Sequence, residues 1–446
     1  MKTTIPNKKI QVKPLQLGNV QTIHNCCEQP KFIATGEPSF LDKLNKELAK
    51  QVYEDEDSLG TQGRIIAKEA LHLVDGLKKG YGVTTGWNTP DTLAYQMMEF
   101  NLFEFAESKT EARLAAMTDL LIDKEKLQIR SFEDFKKLAL KEVSEFNEEW
   151  LLAEYNLSIS VGQNSAAYQR FMAEKDDFQY VQYQTAGDSN VRSAHAKLDG
   201  LIVNLDDKKA MKLFPPNGYG CRCEMIQLPS KPNKEDVTNG DDAMDLMSRI
   251  DPKWRKSQFE INRGDLKQVF TNEQFYANTK GMSKKINDMT FDKYNLKPYN
   301  EFKTGLKPIK LDETITENNV NELFKTNGKT KGGKPFMGFE DYFGRKLILQ
   351  KGTFDTHIDQ HYTNDSEKRP QLFPHIKDVI SNPDEVWLTR EKTKNNQTLR
   401  YIKYYKDKAF VVLGEMNNNH FEIKTWFEMK DEKKTRNGLL VKNKKG

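Results

Sequence analysis

Between Tyr183 and Cys223 the chain gathers the residue types that hold a transition metal. Asp188, Arg192 and His195 follow one another at spacings that would put all three on one face of a helix. A Pro215-Pro216 turn and a Cys221-Arg222-Cys223 hairpin come next. Thiolates and a neutral imidazole are the ligands a tetrahedral Zn²⁺ prefers, and a structural zinc would close a small loop that has no core of its own. His195, Cys221 and Cys223 are therefore candidate ligands, with Asp188 the best fourth. The spacing C-x-C departs from the common zinc C-x-x-C, which keeps a plainer alternative open: His195 caps a helix and bonds Asp188 while both cysteines are simply buried. A disulfide between Cys221 and Cys223 is disfavoured, because so short a ring is strained and no secretory signal is seen.

A second set of reactive types lies near the carboxyl end. His357 and His361 are four apart, on one face of a helix, and His375 follows. Arg400, Lys403, Lys424 and Thr425 sit in short apolar runs, where strand alternation is expected to aim them at one surface. Cleaving RNA without a metal needs a base for the 2′-hydroxyl, an acid for the 5′-leaving oxygen and a cation or hydroxyl on the phosphorane. Histidine titrates where both proton roles are open near neutrality. His357, His361, Arg400 and Thr425 would form a sufficient set. The bland alternative has His361 capping and His357 packed on His375. A zincin is disfavoured by Ile358, which stands where the motif requires Glu.

These sites need a frame. The 446 residues, 30 % charged and 37 % hydrophobic, suit a soluble chain of two or three domains. No run approaches the roughly 18 apolar residues of a membrane span, so no membrane is expected, and the amino terminus lacks the apolar core of a signal peptide. From Lys331 onward there are 23 Lys plus Arg against 16 Asp plus Glu, a surplus larger than the +4 of the whole chain. That tail alone points to a polyanion partner; a solvated lysine-rich surface is the plainer reading.

The chain reads as an extended arm over 1–35, a mainly α domain over 36–228, a linker with short helices over 229–334 and an α+β domain over 335–446. Apolar stripes (Phe40, Leu41, Leu44, Leu48; then Ile65, Ile66, Leu71, Leu73, Val74) mark the first helices. Pro90 and Asp91 open another that supplies Phe100, Phe103 and Phe105 to a core. Ser131, with Asp134 three residues on, caps a long amphipathic helix, with a break expected at Gly162. Near the carboxyl end KLILQ, EVWLTR, LRYIKYYK, AFVVLGEM and FEIKTWFE are strand-like runs. THIDQHY and QLFPHIKDVISN are helical, the latter stopped at Asn382-Pro383. One strand, helices and a four-strand antiparallel meander make a small α+β domain expected to fold alone.

The segment YQTAGDSNVRSAHAKLDGLIVNLDDKKAMKLFPPNGYGCRCEM resembles the Mu F-like phage head morphogenesis family, minor capsid proteins that act beside the portal. The resemblance implies a virion component assembled in the host cytoplasm, with portal and other head proteins as partners. The order of H-x-x-x-H helix, N-P-D-E-V strand entry, R-Y-x-x-Y-Y-K strand and final K-T-W strand is similar to phage-borne nucleases related to barnase, EndoU and colicin-type RNases. It implies that His357 or His361 takes the proton role, that Arg400 grips the scissile phosphate, that Thr425 touches it, and that no cofactor is needed. Trp426 and Phe427 depart from members ending in T-x-Y. Two functions follow: a head protein carrying an RNase toxin, which would call for an immunity protein, or a purely structural protein whose tail binds packaged DNA or portal.

Overall fold

The structure, a computed structural model, describes residues 41–147, 149–276, 284–359, 368–391, 396–416 and 420–444. The arm, Phe40 and His361 lie outside the described residues. The chain divides into two compact units. One comprises Met1–Ser58, Lys68–Val83 and Asn101–Thr279; the other comprises Leu59–Ala67, Thr84–Phe100 and Lys280–Gly446.

The first unit is helical. It contains α1 (Asp42–Tyr53), the later part of α2 (Leu59–Tyr81), the later part of α3 (Pro90–Asp119), α4 (Phe132–Asn147) and α5 (Glu149–Ala173). The apolar stripes become the core, with Leu44, Leu48, Leu73, Val74, Phe103, Phe105 and Phe135 buried. A hairpin of β1 (Ile122–Asp123) and β2 (Gln128–Ile129) joins α3 to α4. Ser131 caps α4, its Oγ accepting the Asp134 N–H at 3.2 Å. The expected break at Gly162 does not occur, because α5 runs straight through it. A Cβ there would stand 2.6 Å from the Leu77 carbonyl oxygen, and one on Gly80 would stand 1.9 Å from that of Ile159. These glycines let two helix backbones touch; neither ends a helix. Inside the bundle, Lys109 bridges Glu69 at 2.8 Å and Glu154 at 2.5 Å, all three buried.

After α5 comes a three-stranded antiparallel sheet, ordered β4-β3-β5, from β3 (Tyr180–Gln184), β4 (Ile202–Asn204) and β5 (Glu224–Gln227). The single turn α6 (Ser193–Ala196) lies between β3 and β4. The stretch read as a linker carries α7 (Gly240–Ile250), begun by the Asn239 side chain accepting Asp242 N–H at 3.0 Å, and the turn α8 (Arg263–Leu266).

The second unit is α+β. Short turns α9 (Lys284–Asn287), α10 (Tyr299–Phe302) and α11 (Glu317–Val320) lead into an eight-stranded mixed sheet ordered β13-β9-β10-β11-β12-β8-β7-β6. Its strands are β6 (Gly328–Lys329), β7 (Pro335–Glu340), β8 (Lys346–Gln350), β9 (Glu385–Glu391), β10 (Asn396–Tyr404), β11 (Ala409–Met416), β12 (Phe421–Glu428) and β13 (Leu439–Asn443). The meander β9–β12 is antiparallel, and β12 meets β8 in parallel at Glu422 and Ile348. Helices α12 (Lys351–Ile358), α13 (Arg369–Leu372) and α14 (Ile376–Ser381) precede the meander, and α15 (Glu432–Thr435) follows it.

Strand alternation assigns the faces. Tyr401, Val412 and Trp426 form one row across β10, β11 and β12. Trp426 packs on Phe354 of α12 and on Phe373, so this is the helix-covered face. Arg400, Leu413 and Thr425 form the next row, on the opposite face. There Tyr404 stacks on Tyr299 at 5.6 Å and Trp387 meets Tyr294 edge-on. Residues 84–100 also pack into this unit: Glu99 bonds buried Arg345 through Nε at 2.7 Å, and Gln96 donates to the Lys346 carbonyl at 3.2 Å.

Candidate functional site

The Cys/His loop is held from behind by α5. Ser160 Oγ donates to the Cys221 carbonyl at 3.0 Å and Asn164 Nδ2 to that of Cys223 at 3.4 Å. Arg192 Nη2 bonds the Tyr219 carbonyl, and its guanidinium occupies the space a Cβ on Gly218 would need. This framework brings His195 Nδ1 to 3.7 Å from Cys221 Sγ and 3.5 Å from Cys223 Sγ, with all three residues buried. The ligand atoms all lie within 4.8 Å of one another. Zinc bonds of about 2.3 Å to sulfur and about 2.0 Å to nitrogen at the tetrahedral angle set such ligands about 3.5 Å apart. The three donors thus fit a zinc ion. The hydrogen bond between the two thiols holds Cys221 well below the usual thiol range and pushes Cys223 up. Beside them is a pocket of about 10 Å³, lined by Asn190, Arg192 and Arg222 among others, with room for about one water.

Asp188 does not join the three. It is exposed, its carboxylate held by Arg222 at 2.7 Å and by the Asn190 N–H at 3.1 Å. Nor do Asp188, Arg192 and His195 share a helix face, since α6 begins only at Ser193. Two thiols and one imidazole are what the fold assembles.

In the second unit a cleft of about 400 Å³ opens on the sheet face away from α12, lined by Arg369, Arg400, Leu413, Phe427, Glu428 and Lys434 among others. Arg400 leans on α15 and the loop after it, donating to the carbonyls of Lys434 (3.5 Å) and Asn437. Its Nε is buried without a partner, and among the described residues no carboxylate pairs with it. Burial lowers its pKa to about 10. A half-buried guanidinium without a counter-charge can take an anion as partner. Thr425 Oγ1 accepts from Arg369 Nη1 at 2.9 Å, and Trp426 Nε1 donates to the Arg369 carbonyl at 3.0 Å. So α13 delivers a second arginine to the same strand.

Of the four residues singled out for RNA cleavage, Arg400 and Thr425 fall on one face with Leu413 between them; Arg400 lines the cleft, and Thr425 is tied to it through Arg369. His357 does not join them. Its ring stacks on Trp426, 5.2 Å between centroids, on the helix-covered face, and its Nδ1 lies 2.7 Å from the Thr353 carbonyl oxygen. His361 is outside the described residues. Lys403 also departs from the shared surface expected of it: three residues from Arg400, it points to the other face and pairs with Asp378 at 2.6 Å. Lys424 sits where the register slips between Leu413 and Gly414, held by Glu422 and Glu415. His375 packs with its pKa lowered by burial. Sequence reasoning missed Arg369, because nothing local ties a residue of the 368–372 turn to a strand more than fifty positions on. It also passed over His420, which lies 2.9 Å from Glu422 and has its pKa lowered by burial.

Two stretches of the chain match known families. Residues 131–226 match the family described as Phage Mu protein F like protein. Residues 322–441 match the family described as phage-Barnase-EndoU-ColicinE5/D-RelE like nuclease2. Protein F of Escherichia phage Mu, named for capsid assembly, is 31 % identical over 81 residues, 18 % of either chain. The FluMu F protein of a Mu-like prophage of Haemophilus influenzae is 36 % identical over 65 residues, 15 % of this chain and 16 % of its own. The chain thus spans less than a fifth of the length of these relatives. No solved structure matches.

Proposed function

Proceeding from a chain that joins a Mu protein F like domain to a phage nuclease-like domain, we propose a minor head protein that acts with the portal in capsid assembly and carries an endoribonuclease in its second unit. The observation that carries the enzymatic half is the unmatched guanidinium of Arg400 in a cleft shared with Arg369, beside Thr425. Cations and a hydroxyl are the groups that stabilise the charge of a pentacovalent phosphorane. In the proposed reaction the RNA 2′-oxygen attacks the adjacent phosphorus and the P–O5′ bond breaks, leaving a 2′,3′-cyclic phosphate and a 5′-hydroxyl. A base removes the 2′-hydroxyl proton and an acid returns one to O5′. Arg400 and Arg369 stabilise the charge between those transfers, with no cofactor. We assign the proton role to His361 ahead of His357, whose ring is covered by Trp426.

Cleavage of bulk RNA by the full chain in EDTA tests this reading. Arg400→Ala and Arg369→Ala are expected to lose about 10²-fold or more, and His357→Ala less than His361→Ala. Wild-type rates in all of them, and in Thr425→Ala, would sink it and leave the structural reading, in which the basic tail holds packaged DNA or portal. An active nuclease also calls for an immunity protein or for confinement in the head.

For the first half we propose that His195, Cys221 and Cys223 hold a structural zinc. The support is a buried donor set with the spacing such an ion demands. Bound there, the ion would clip the loop between β4 and β5 to α6.

A further inference from the structure

Neighbouring aromatics on β12 have opposite surroundings. Trp426 is buried among Phe354, His357 and Phe373. Phe427 is half-buried, lines the cleft with Arg369 and Arg400, and among the described residues no ring stacks on it. It follows Thr425 by two positions on one strand, so both side chains leave the same face, about 6–7 Å apart along the strand. That is close to the reach from a nucleotide's phosphate to its own base. The cleft, about 400 Å³, is at the small end of ligand pockets, which hold roughly 300–1,000 Å³. It admits one nucleotide and no duplex, whose bases are stacked inside the helix and would have to be flipped out.

We propose that Phe427 is the base platform of this cleft, stacking one unpaired nucleotide of single-stranded RNA whose phosphate lies on Arg400, Arg369 and Thr425. The inference rests on the nuclease reading and adds the substrate class. A phenyl face accepts any base, so the preference it confers is for unpaired strand over duplex, without a strong sequence code. Lys430 and Lys434 are exposed at the cleft, Lys434 paired with Asp431 at 3.4 Å; flanking phosphates that recruit these lysines make binding salt-dependent.

The test uses the full chain with a fluorescein-labelled decamer RNA, its duplex, and the DNA decamer of the same sequence. Cleavage is followed by gel and binding by anisotropy. Wild type is expected to prefer the single-stranded RNA. Phe427→Ala should lower kcat/KM on it at least tenfold, carried by KM, and narrow the gap to the duplex. Phe427→Trp should restore both. Unchanged melting temperatures in the two variants separate this from misfolding. A Phe427→Ala enzyme that keeps wild-type KM and preference overturns the platform while leaving the nuclease standing, and equal cleavage of the DNA decamer overturns the RNA assignment. If wild type cleaves nothing, the nuclease reading fails. Anisotropy then decides alone: tenfold weaker binding of the RNA decamer by Phe427→Ala supports the platform, and equal binding overturns it.

Discussion

Arg400 carries the charge argument at the scale of single residues. Its folded pKa is about 10 against an ordinary 12.5, the cause being burial. Near neutrality it is protonated in both folded and unfolded chains, so its cost to stability is constant there. As pH rises from about 10 towards 12.5 the unfolded chain still holds a proton that the folded one has released, and this group's contribution to stability rises. An anion in the cleft offsets the same cost at any lower pH. A dideoxy dinucleoside monophosphate, whose single phosphodiester does not titrate, is therefore expected to bind equally at pH 7 and pH 9 and to weaken above about pH 10. Titration calorimetry checks this; a tenfold fall in affinity between pH 7 and pH 9 would assign the binding to a histidine instead. The Cys/His cluster makes a second prediction at this scale. Purified chain should contain about one zinc, Cys221→Ser and Cys223→Ser should lose it, and Asp188→Ala should keep it, because that carboxylate is occupied by Arg222. Elemental analysis reads all three, and zinc lost with Asp188 would restore it as the fourth ligand.

At the scale of elements, the strands were legible because alternation and polar turns are local: KLILQ, AFVVLGEM and FEIKTWFE coincide with β8, β11 and β12. The same period of two also separates Arg400 from Lys403, an odd interval that already places them on opposite faces. The metal donors were legible as types, since His, Cys and Cys crowd one short segment. Asp188 was misplaced by assuming a helix where the chain turns. Arg369 was illegible because its partner is set by how α13 meets the edge of β12, a contact no local pattern encodes. Gly162 shows the same limit: a glycine in a helical pattern reads as a stop, while its use here is close packing. Helix propensity alone would make Gly162→Ala stabilising by about 1 kcal/mol. The approach of 2.6 Å to the Leu77 carbonyl oxygen reverses the sign, because backbone cannot yield as a side chain would. Overpacking of about 1–3 kcal/mol is the expected net loss, seen as a lower melting temperature for the helical transition; an increase would mean that α2 and α5 separate freely.

At the scale of the whole chain, the two compact units do not follow the linear division into head domain, linker and tail. The sheet unit takes in residues 84–100. From that segment Glu99 reaches Arg345, which is 1 % exposed and also bonds Asp341 at 2.9 Å. A guanidinium so deeply buried tolerates the loss of a carboxylate poorly, because the charge left behind is neither hydrated nor matched. Breaking such a pair from one side costs about 3–5 kcal/mol. Gly338 adds a steric tie, since a Cβ there would stand 2.4 Å from the Trp87 ring, so the same segment lies flat on β7. Residues 335–446 expressed alone, though they hold the whole meander, are therefore expected to melt below the full chain's sheet unit. Glu99→Gln in the full chain should reproduce part of that loss. Hydrogen exchange of β7 and β8 is the measurement: equal protection in the isolated fragment, the variant and the full chain would show that the nuclease-like module is stable without the segment that precedes it by more than two hundred residues.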